Sequence, residues 1–180
     1  MADSPDDCAL ATAARQGDRL ALAALLARQE RSLYASAVAI LGSTWDAHDA
    51  VQETLVEACA KIRGLRDPSK VRPWLARILV NKSRDILRAR RRHNPVPDPE
   101  ACPTREPFED LNDDEGLREA MGMLSEERRL ALALRFFLDL DYADMSAVTG
   151  WPRGTVKSRV YRALRELRCL IGRDGERPDG

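Results

Sequence analysis

The chain has 180 residues and a mass of 20.1 kDa, enough for one ordinary domain or two small ones. With 44% hydrophobic and 32% charged residues it is not a disordered tail, and 5% aromatics among abundant Ala, Leu and Arg argue against an all-β fold. Its net charge of zero, 29 basic against 29 acidic residues, excludes a uniformly basic nucleic-acid binder.

The opening residues carry Asp3, Asp6 and Asp7 where a signal peptide would be basic, and no window holds 18 consecutive apolar residues. A cytoplasmic chain with no membrane segment of its own is expected. Cys8, Cys59, Cys102 and Cys169 form no C-x-x-C pair, and His48 and His93 complete no ligand spacing with them, so no metal, disulfide framework or cofactor is expected.

Asp18 to Leu41 reads as an amphipathic helix, with Leu22, Leu25, Leu26, Leu33, Ala37, Ile40 and Leu41 near one face and Gly42 placed for a C-terminal cap. A second helix runs from about Asp46 to Ile62. Its apolar positions Ala47, Val51, Leu55, Ala58 and Ile62 recur every three or four residues and leave Asp46, Asp49, Gln52, Glu53 and Glu57 towards solvent. This acidic stripe fits either a solvated surface or a docking face for a basic or helical partner.

A break at Arg66, Asp67, Pro68 and Ser69 precedes a third helix, about Val71 to Arg92. At 100 degrees per residue Val71, Leu75, Ile78, Leu79 and Ile86 cluster on one side. Arg77, Asn81, Arg84 and Arg88 align on another. From Lys61 to Arg92 there are twelve Lys or Arg against two acids, Asp67 and Asp85, a local balance of +10. The basic stripe suits phosphate contact, with a solubilising face as the bland alternative.

Pro95, Pro97, Pro99, Pro103 and Pro107 fall close together, and a chain that repeatedly loses its amide donor is not a regular helix there. Residues 93–112 are predicted to be a linker between domains at 1–92 and 113–172, with a disordered tail at 173–180. The acidic block around Asp110, Asp113, Asp114 and Glu115 is expected to shield basic faces in the free chain.

In the second domain Ser125, followed by Glu126 and Glu127, gives a capped start for a helix predicted over Glu126 to Leu138. A short helix from about Tyr142 to Val148 ends at Gly150, and Pro152 opens another reaching about Ile171. Two helices joined by a tight Gly-containing turn outline a helix-turn-helix. On the last helix Val156, Val160, Ala163, Leu164 and Leu167 form the apolar face. Ser158, Arg162 and Arg165 lie opposite, flanked by Lys157 and Arg159, and Arg153 and Thr155 begin the helix. That arrangement suits a groove-reading helix, or an amphipathic helix with a wet basic side.

The run Asp46-Ala47-His48-Asp49-Ala50-Val51-Gln52-Glu53-Thr54 resembles the D-A-E-D-x-V-Q-E-T signature of region 2 in bacterial extracytoplasmic-function sigma factors. Trp74-Leu75-Ala76-Arg77-Ile78-Leu79-Val80-Asn81, with Asp85 and the Arg run behind it, resembles the W-L-x-R-I-A-x-N block of the same region. Leu124-Ser125-Glu126-Glu127-Arg128 with Gly154-Thr155-Val156-Lys157-Ser158-Arg159-Val160-Tyr161-Arg162-Ala163 is similar to the region 4 pattern. Three motifs in this order around a linker are specific, whereas each alone is weak.

The resemblance implies an all-α protein of two small helical domains that joins core RNA polymerase and directs it to promoters. It implies polymerase docking by Asp46, Asp49, Gln52 and Glu53. Minus-10 binding falls to Arg66, Lys70, Trp74, Arg77, Asn81, Arg84 and Arg88, and minus-35 binding to Arg153, Thr155, Lys157, Ser158, Arg159 and Arg162. Partners would be core polymerase, promoter DNA and an anti-sigma factor. His48 departs from the family's acid, Lys82-Ser83-Arg84 from a mostly apolar stretch, and Asp144-Met145-Ser146 from the common E-I-A. There is no Walker A loop, nucleophile elbow or H-E-x-x-H, so no enzyme is expected. The rival classes are a helix-turn-helix regulator that does not join polymerase, which leaves the first domain's motifs unexplained, and a sigma-like decoy without promoter activity.

Overall fold

The computed structural model describes residues 5–93 and 115–174. Of the linker predicted over 93–112 all but His93, the last residue of α4, lies outside these, Cys102 and Asp110 included, as do Asp113, Asp114 and residues 175–180, while Arg173 and Asp174, predicted to begin a disordered tail, end α8. Among the described residues there are eight α-helices and no strand: α1 (Pro5–Arg15), α2 (Arg19–Leu41), α3 (Thr44–Lys61), α4 (Val71–His93), α5 (Glu115–Met123), α6 (Glu126–Leu132), α7 (Tyr142–Thr149) and α8 (Arg153–Asp174).

Capping sets most boundaries. Asp18 accepts from the amides of Leu20 and Ala21, at 2.9 and 3.0 Å, and so starts α2. Gly42 ends it with φ 65°, a left-handed conformation that costs a glycine nothing, and its N–H donates to the Val38 carbonyl. Ser43 then accepts from the Asp46 amide and opens α3. Asp67 accepts from both the amide and the hydroxyl of Ser69, fixing the turn that leads into α4.

The apolar stripes of α2, α3 and α4 meet in one core in which Leu25, Leu33, Val71, Leu75 and Leu79 are fully buried. Helix α1, absent from the sequence-based assignment, closes this core with Ala11 and Ala14. It is anchored by Asp7, 1% exposed, which accepts from Gln29 Nε2 at 2.9 Å and pairs with Arg28 Nε at 3.0 Å and Arg72 Nη2 at 3.3 Å. An aspartate that looked like part of an acidic terminus is a buried ionic anchor.

In the second half α6 does not run on to Leu138 as predicted. It widens into a π turn over Ala133–Phe137, the Leu140 amide reaches back to the Leu134 carbonyl, and Asp139 turns left-handed with φ 51°. Ser125 has the backbone of an N-cap but makes no side-chain cap bond, and the residue three further on, Arg128, has no acceptor to complete a capping box. Helix α5, Glu115–Met123, precedes α6 and is absent from the sequence-based assignment.

The two halves pack on each other. Helix α2 meets α6 and the π turn, α4 meets α7, and one apolar cluster runs from Leu25 and Leu79 through to Leu134, Met145 and Val148. Polar bonds cross the same seam: Arg129 Nε donates to the Ile40 carbonyl at 3.3 Å, Arg84 Nη2 to the Thr149 carbonyl at 3.4 Å, and Arg91 pairs with Glu126.

Candidate polymerase and nucleic-acid interface

On α3 the residues Asp49, Gln52 and Glu53 are exposed, while Asp46 is partly covered and ion-paired with Arg90 of α4. Arg90 also donates to the Leu41 carbonyl, so Asp46 is tied into the junction of α2, α3 and α4. Glu53 and Glu57 share Lys82, at 3.2 and 3.1 Å, and Glu57 takes a further bond from Lys61 at 2.7 Å. Hydrogen bonds from Lys61 and Lys82 hold the Glu57 carboxyl below its usual range, and Glu57 with Glu53 pushes the Lys82 ammonium up. The Lys82 departure noted in the sequence thus joins α4 to the acidic face.

Two residues that sequence reasoning missed complete this face. Trp45 and Val56 are about 70% exposed, at 71% and 69%, and with Asp49 and Gln52 they follow helical spacing along one stripe. The signal was available as large apolar residues interleaved at i, i+4, i+7 and i+11 with polar ones.

The basic residues of α4 and of the turn before it divide in two. Arg66, Arg77, Asn81 and Arg88 are exposed, Arg88 pairing with Asp85 at 3.3 Å. Lys70 and Arg84 are engaged by the second half of the chain, Lys70 with Asp144 and Arg84 with the Thr149 carbonyl. Trp74 is partly buried and packs against the core.

The helix-turn-helix is braced by local bonds. Asp141 accepts from the Asp144 amide at 2.7 Å and starts α7, a bond that holds its carboxyl low. Gly150 ends α7 with φ 78°. In the turn the Ser146 hydroxyl donates to the Trp151 carbonyl at 2.6 Å, and the Trp151 amide donates to Thr149 Oγ1 at 3.2 Å. Val156, Val160 and Ala163 of α8 are buried, which leaves Arg153, Lys157, Tyr161 and Arg162 exposed. Thr155 and Ser158 are half-buried, the Ser158 hydroxyl donating to the Thr155 carbonyl. Arg159 lies against Trp151 and Glu127 rather than in solvent. A cleft of about 280 Å³ between α6 and α8 is lined by Ser125, Glu127, Arg128, Arg159 and Arg162.

No group of three or more His, Cys, Asp or Glu among the described residues is arranged to hold a metal ion. No helix among them is long and apolar enough to cross a membrane.

Comparison with known proteins agrees with this layout. The family model of sigma-70 region 2 matches residues 25–93, and that of sigma-70 region 4 matches residues 114–167. The chain is 36% identical over 147 residues to the ECF RNA polymerase sigma factor EcfG of Rhodopseudomonas palustris, covering 80% of this chain and 81% of that protein. It is 31% identical over 166 residues to SigM of Mycobacterium tuberculosis, covering 92% and 85%. Among solved structures, the sigma factor RpoE of Bartonella quintana, in complex with the anti-sigma factor NepR, superposes with a TM-score of 0.70 at 30% identity over 82% of this chain and 94% of that one. CnrH, in complex with the cytosolic domain of CnrY, gives 0.69 at 27% identity over 94% and 99%. The chain belongs to the extracytoplasmic-function sigma factors of the sigma-70 family.

Proposed function

We propose that this sigma factor, which directs transcription initiation by RNA polymerase, docks on the core enzyme through the α3 face of Asp46, Asp49, Gln52 and Glu53, extended by Trp45 and Val56. Arg66, Lys70, Trp74, Arg77, Asn81, Arg84 and Arg88 then meet the minus-10 element. Arg153, Thr155, Lys157, Ser158 and Arg162 of α8, with the exposed Tyr161, enter the major groove at minus-35. Opened bases stack on planar side chains while backbone phosphates are held by Arg, and α4 offers both kinds of group.

The observation that carries this reading is the pair of separate basic faces on one chain beside an acidic and apolar one. A regulator that never joins polymerase needs only the helix-turn-helix. The factor supplies binding energy that favours the melted promoter and performs no bond chemistry of its own. We place it in the cytoplasm with an anti-sigma factor as its regulator, on the resemblance to RpoE and CnrH, both solved with a partner. Reconstituted transcription tests it. Added to core polymerase with a promoter library, the chain should select a minus-10/minus-35 pair, and failure to support any promoter-specific transcript overturns the reading.

A further inference from the structure

Arg159 sits in the middle of the recognition helix, where spacing alone groups it with the residues that face DNA. Its surroundings are different. The guanidinium carbon lies 3.9 Å from the centroid of the Trp151 ring, and Nη2 is 2.7 Å from Glu127 Oε2 on α6. Nη1 is sealed from solvent without a hydrogen-bond partner, and the side chain as a whole is 23% exposed. We infer that Arg159 is a positioning residue, which clamps the helix-turn-helix turn and α6 to α8 so that Lys157, Ser158 and Arg162 are presented at the correct angle, and that it does not itself read bases.

The geometry of the guanidinium carries the argument. Reading a guanine takes two N–H groups pointing together into the groove. Here one face of the plane lies on the indole, one amino group is committed to Glu127 and the other is buried. To reach a base edge Arg159 would have to leave the ring and give up its bond to Glu127, whose side chain is 61% exposed, so the indole contact holds it more than the ion pair does. Arg162, one turn on, is exposed and free of such partners among the described residues.

The clamp is also continuous with the rest of the motif. Trp151, under Arg159, is held at its carbonyl by Ser146 of α7 and at its amide by Thr149. Ser146, Trp151, Arg159 and Glu127 therefore link α7, the turn, α8 and α6 in one chain of contacts. A second ion pair, Arg128 with Glu166, ties α6 to α8 further along. The stacked guanidinium adds to the bonds at Gly150 and Trp151 that fix the turn before DNA arrives.

The inference rests on the assignment of α8 to the minus-35 element, and one experiment separates the two. Holoenzymes carrying the wild-type chain, Arg159→Ala, Arg159→Lys, Trp151→Ala, the double variant and Arg162→Ala are scored for transcription across a library with every minus-35 base pair varied, after thermal unfolding has shown each chain folded. Loss of a cation–π contact of this kind corresponds to about two- to thirty-fold. Arg159→Ala should lose a factor in that range at every sequence, with base preference unchanged at each position. The double variant should be no worse than the poorer single one, and Arg159→Lys, which keeps a cation near the ring but not the stacked plane, should recover only part of the loss.

Relaxed preference at one base pair in Arg159→Ala overturns the positioning role, as does full additivity with Trp151→Ala. Arg162→Ala tests the underlying assignment. If it shifts no preference anywhere, the minus-35 reading of α8 falls, whatever Arg159 does.

Discussion

Lys70 and Asp144, 74 residues apart, form an ion pair across the seam between the two halves, with Nζ 2.9 Å from Oδ1 and 3.0 Å from Oδ2. Lys70 is a proposed minus-10 contact and Asp144 lies on α7, so the pair joins a proposed DNA contact to the supporting helix of the helix-turn-helix. The Lys70 side chain is half exposed, and such a pair contributes about 0.2–1 kcal/mol. Closure of the halves must therefore rest on the apolar seam, where Met145 and Val148 of α7 are buried.

This predicts an asymmetry between two substitutions. Asp144→Ala should leave the free chain nearly as compact as the wild type. Val148→Asp, which puts an uncompensated charge into the seam, should separate the halves. Small-angle scattering reads the outcome as radius of gyration. Separation should also raise affinity for a single-stranded minus-10 oligonucleotide, because Lys70 and Arg84 are then released.

The second expectation concerns the acidic stripe. Replacing Asp49 and Glu53 by Lys should weaken core polymerase binding by about several kcal/mol, the cost of like charges forced together across an interface. The two sites are not equivalent. Lys at position 53 also faces Lys82, which loses one of its two carboxylates, so part of its effect is on the chain itself. Asp49→Lys alone is the cleaner probe, and undiminished pull-down of polymerase by the folded variant would remove the docking assignment.

The two DNA faces should separate in the same way. Arg162→Ala should weaken binding to minus-35 duplex by about 1 to 3 kcal/mol, as for a base-edge contact, while Asn81→Ala leaves duplex binding alone and impairs opening at minus-10. Gel-shift with the duplex and permanganate footprinting of the holoenzyme distinguish them. Equal loss of duplex binding in both variants would contradict the division.

The parts of the fold that were legible in the sequence are those written in local chemistry. Asp18 marks a helix start by side-chain capping and Gly42 and Gly150 mark helix ends by backbone capping, and the buried stripes of α2, α3 and α8 follow their apolar periods. What escaped depends on neighbours distant in sequence. Asp7 looks like any terminal acid until Arg28, Gln29 and Arg72 surround it. Arg159 looks like any groove-facing Arg until Trp151 comes round the turn beneath it. The π turn after α6, where the Leu140 amide bonds the Leu134 carbonyl, likewise has no local signature in the sequence.

The Glu57–Lys82–Lys61 cluster gives a pH dependence with a definite sign. The Glu57 carboxyl is held below its ordinary value of 4.5, chiefly by the hydrogen bond from Lys61 and then that from Lys82. A group whose folded value is depressed contributes stability that is present above the unfolded value and lost as pH falls through the folded one. Glu57→Gln should therefore be less stable than the wild type at neutral pH, with the difference shrinking as pH is lowered below 4.5. Lys82 is raised, so its share is lost only in strong alkali and does not blur the acid limb. Urea titrations at several pH values give the comparison, and a difference independent of pH would show that the cluster is not formed in solution.

The buried Asp7 makes the strongest stability prediction. It is 1% exposed and ties α1 to α2 through Arg28 and Gln29 and to α4 through Arg72. Breaking a buried ionic group costs up to about 3–5 kcal/mol, and because Arg28 is 46% exposed and keeps Asp6 the loss should fall in the lower part of that range. Asp7→Ala should lower stability by that order, measured by denaturant unfolding of the full chain, with α1 released first. Asp6→Ala is the control: its carboxylate is 73% exposed and 3.5 Å from Arg28 Nη1, so it should cost under about 1 kcal/mol. A shortened chain lacking α1 should show the same loss as Asp7→Ala if the anchor is the helix's main attachment. A much larger loss would mean that Ala11 and Ala14 hold α1 on the core largely without Asp7. Hydrogen exchange confined to α1 in Asp7→Ala then separates local release of the helix from collapse of the whole domain.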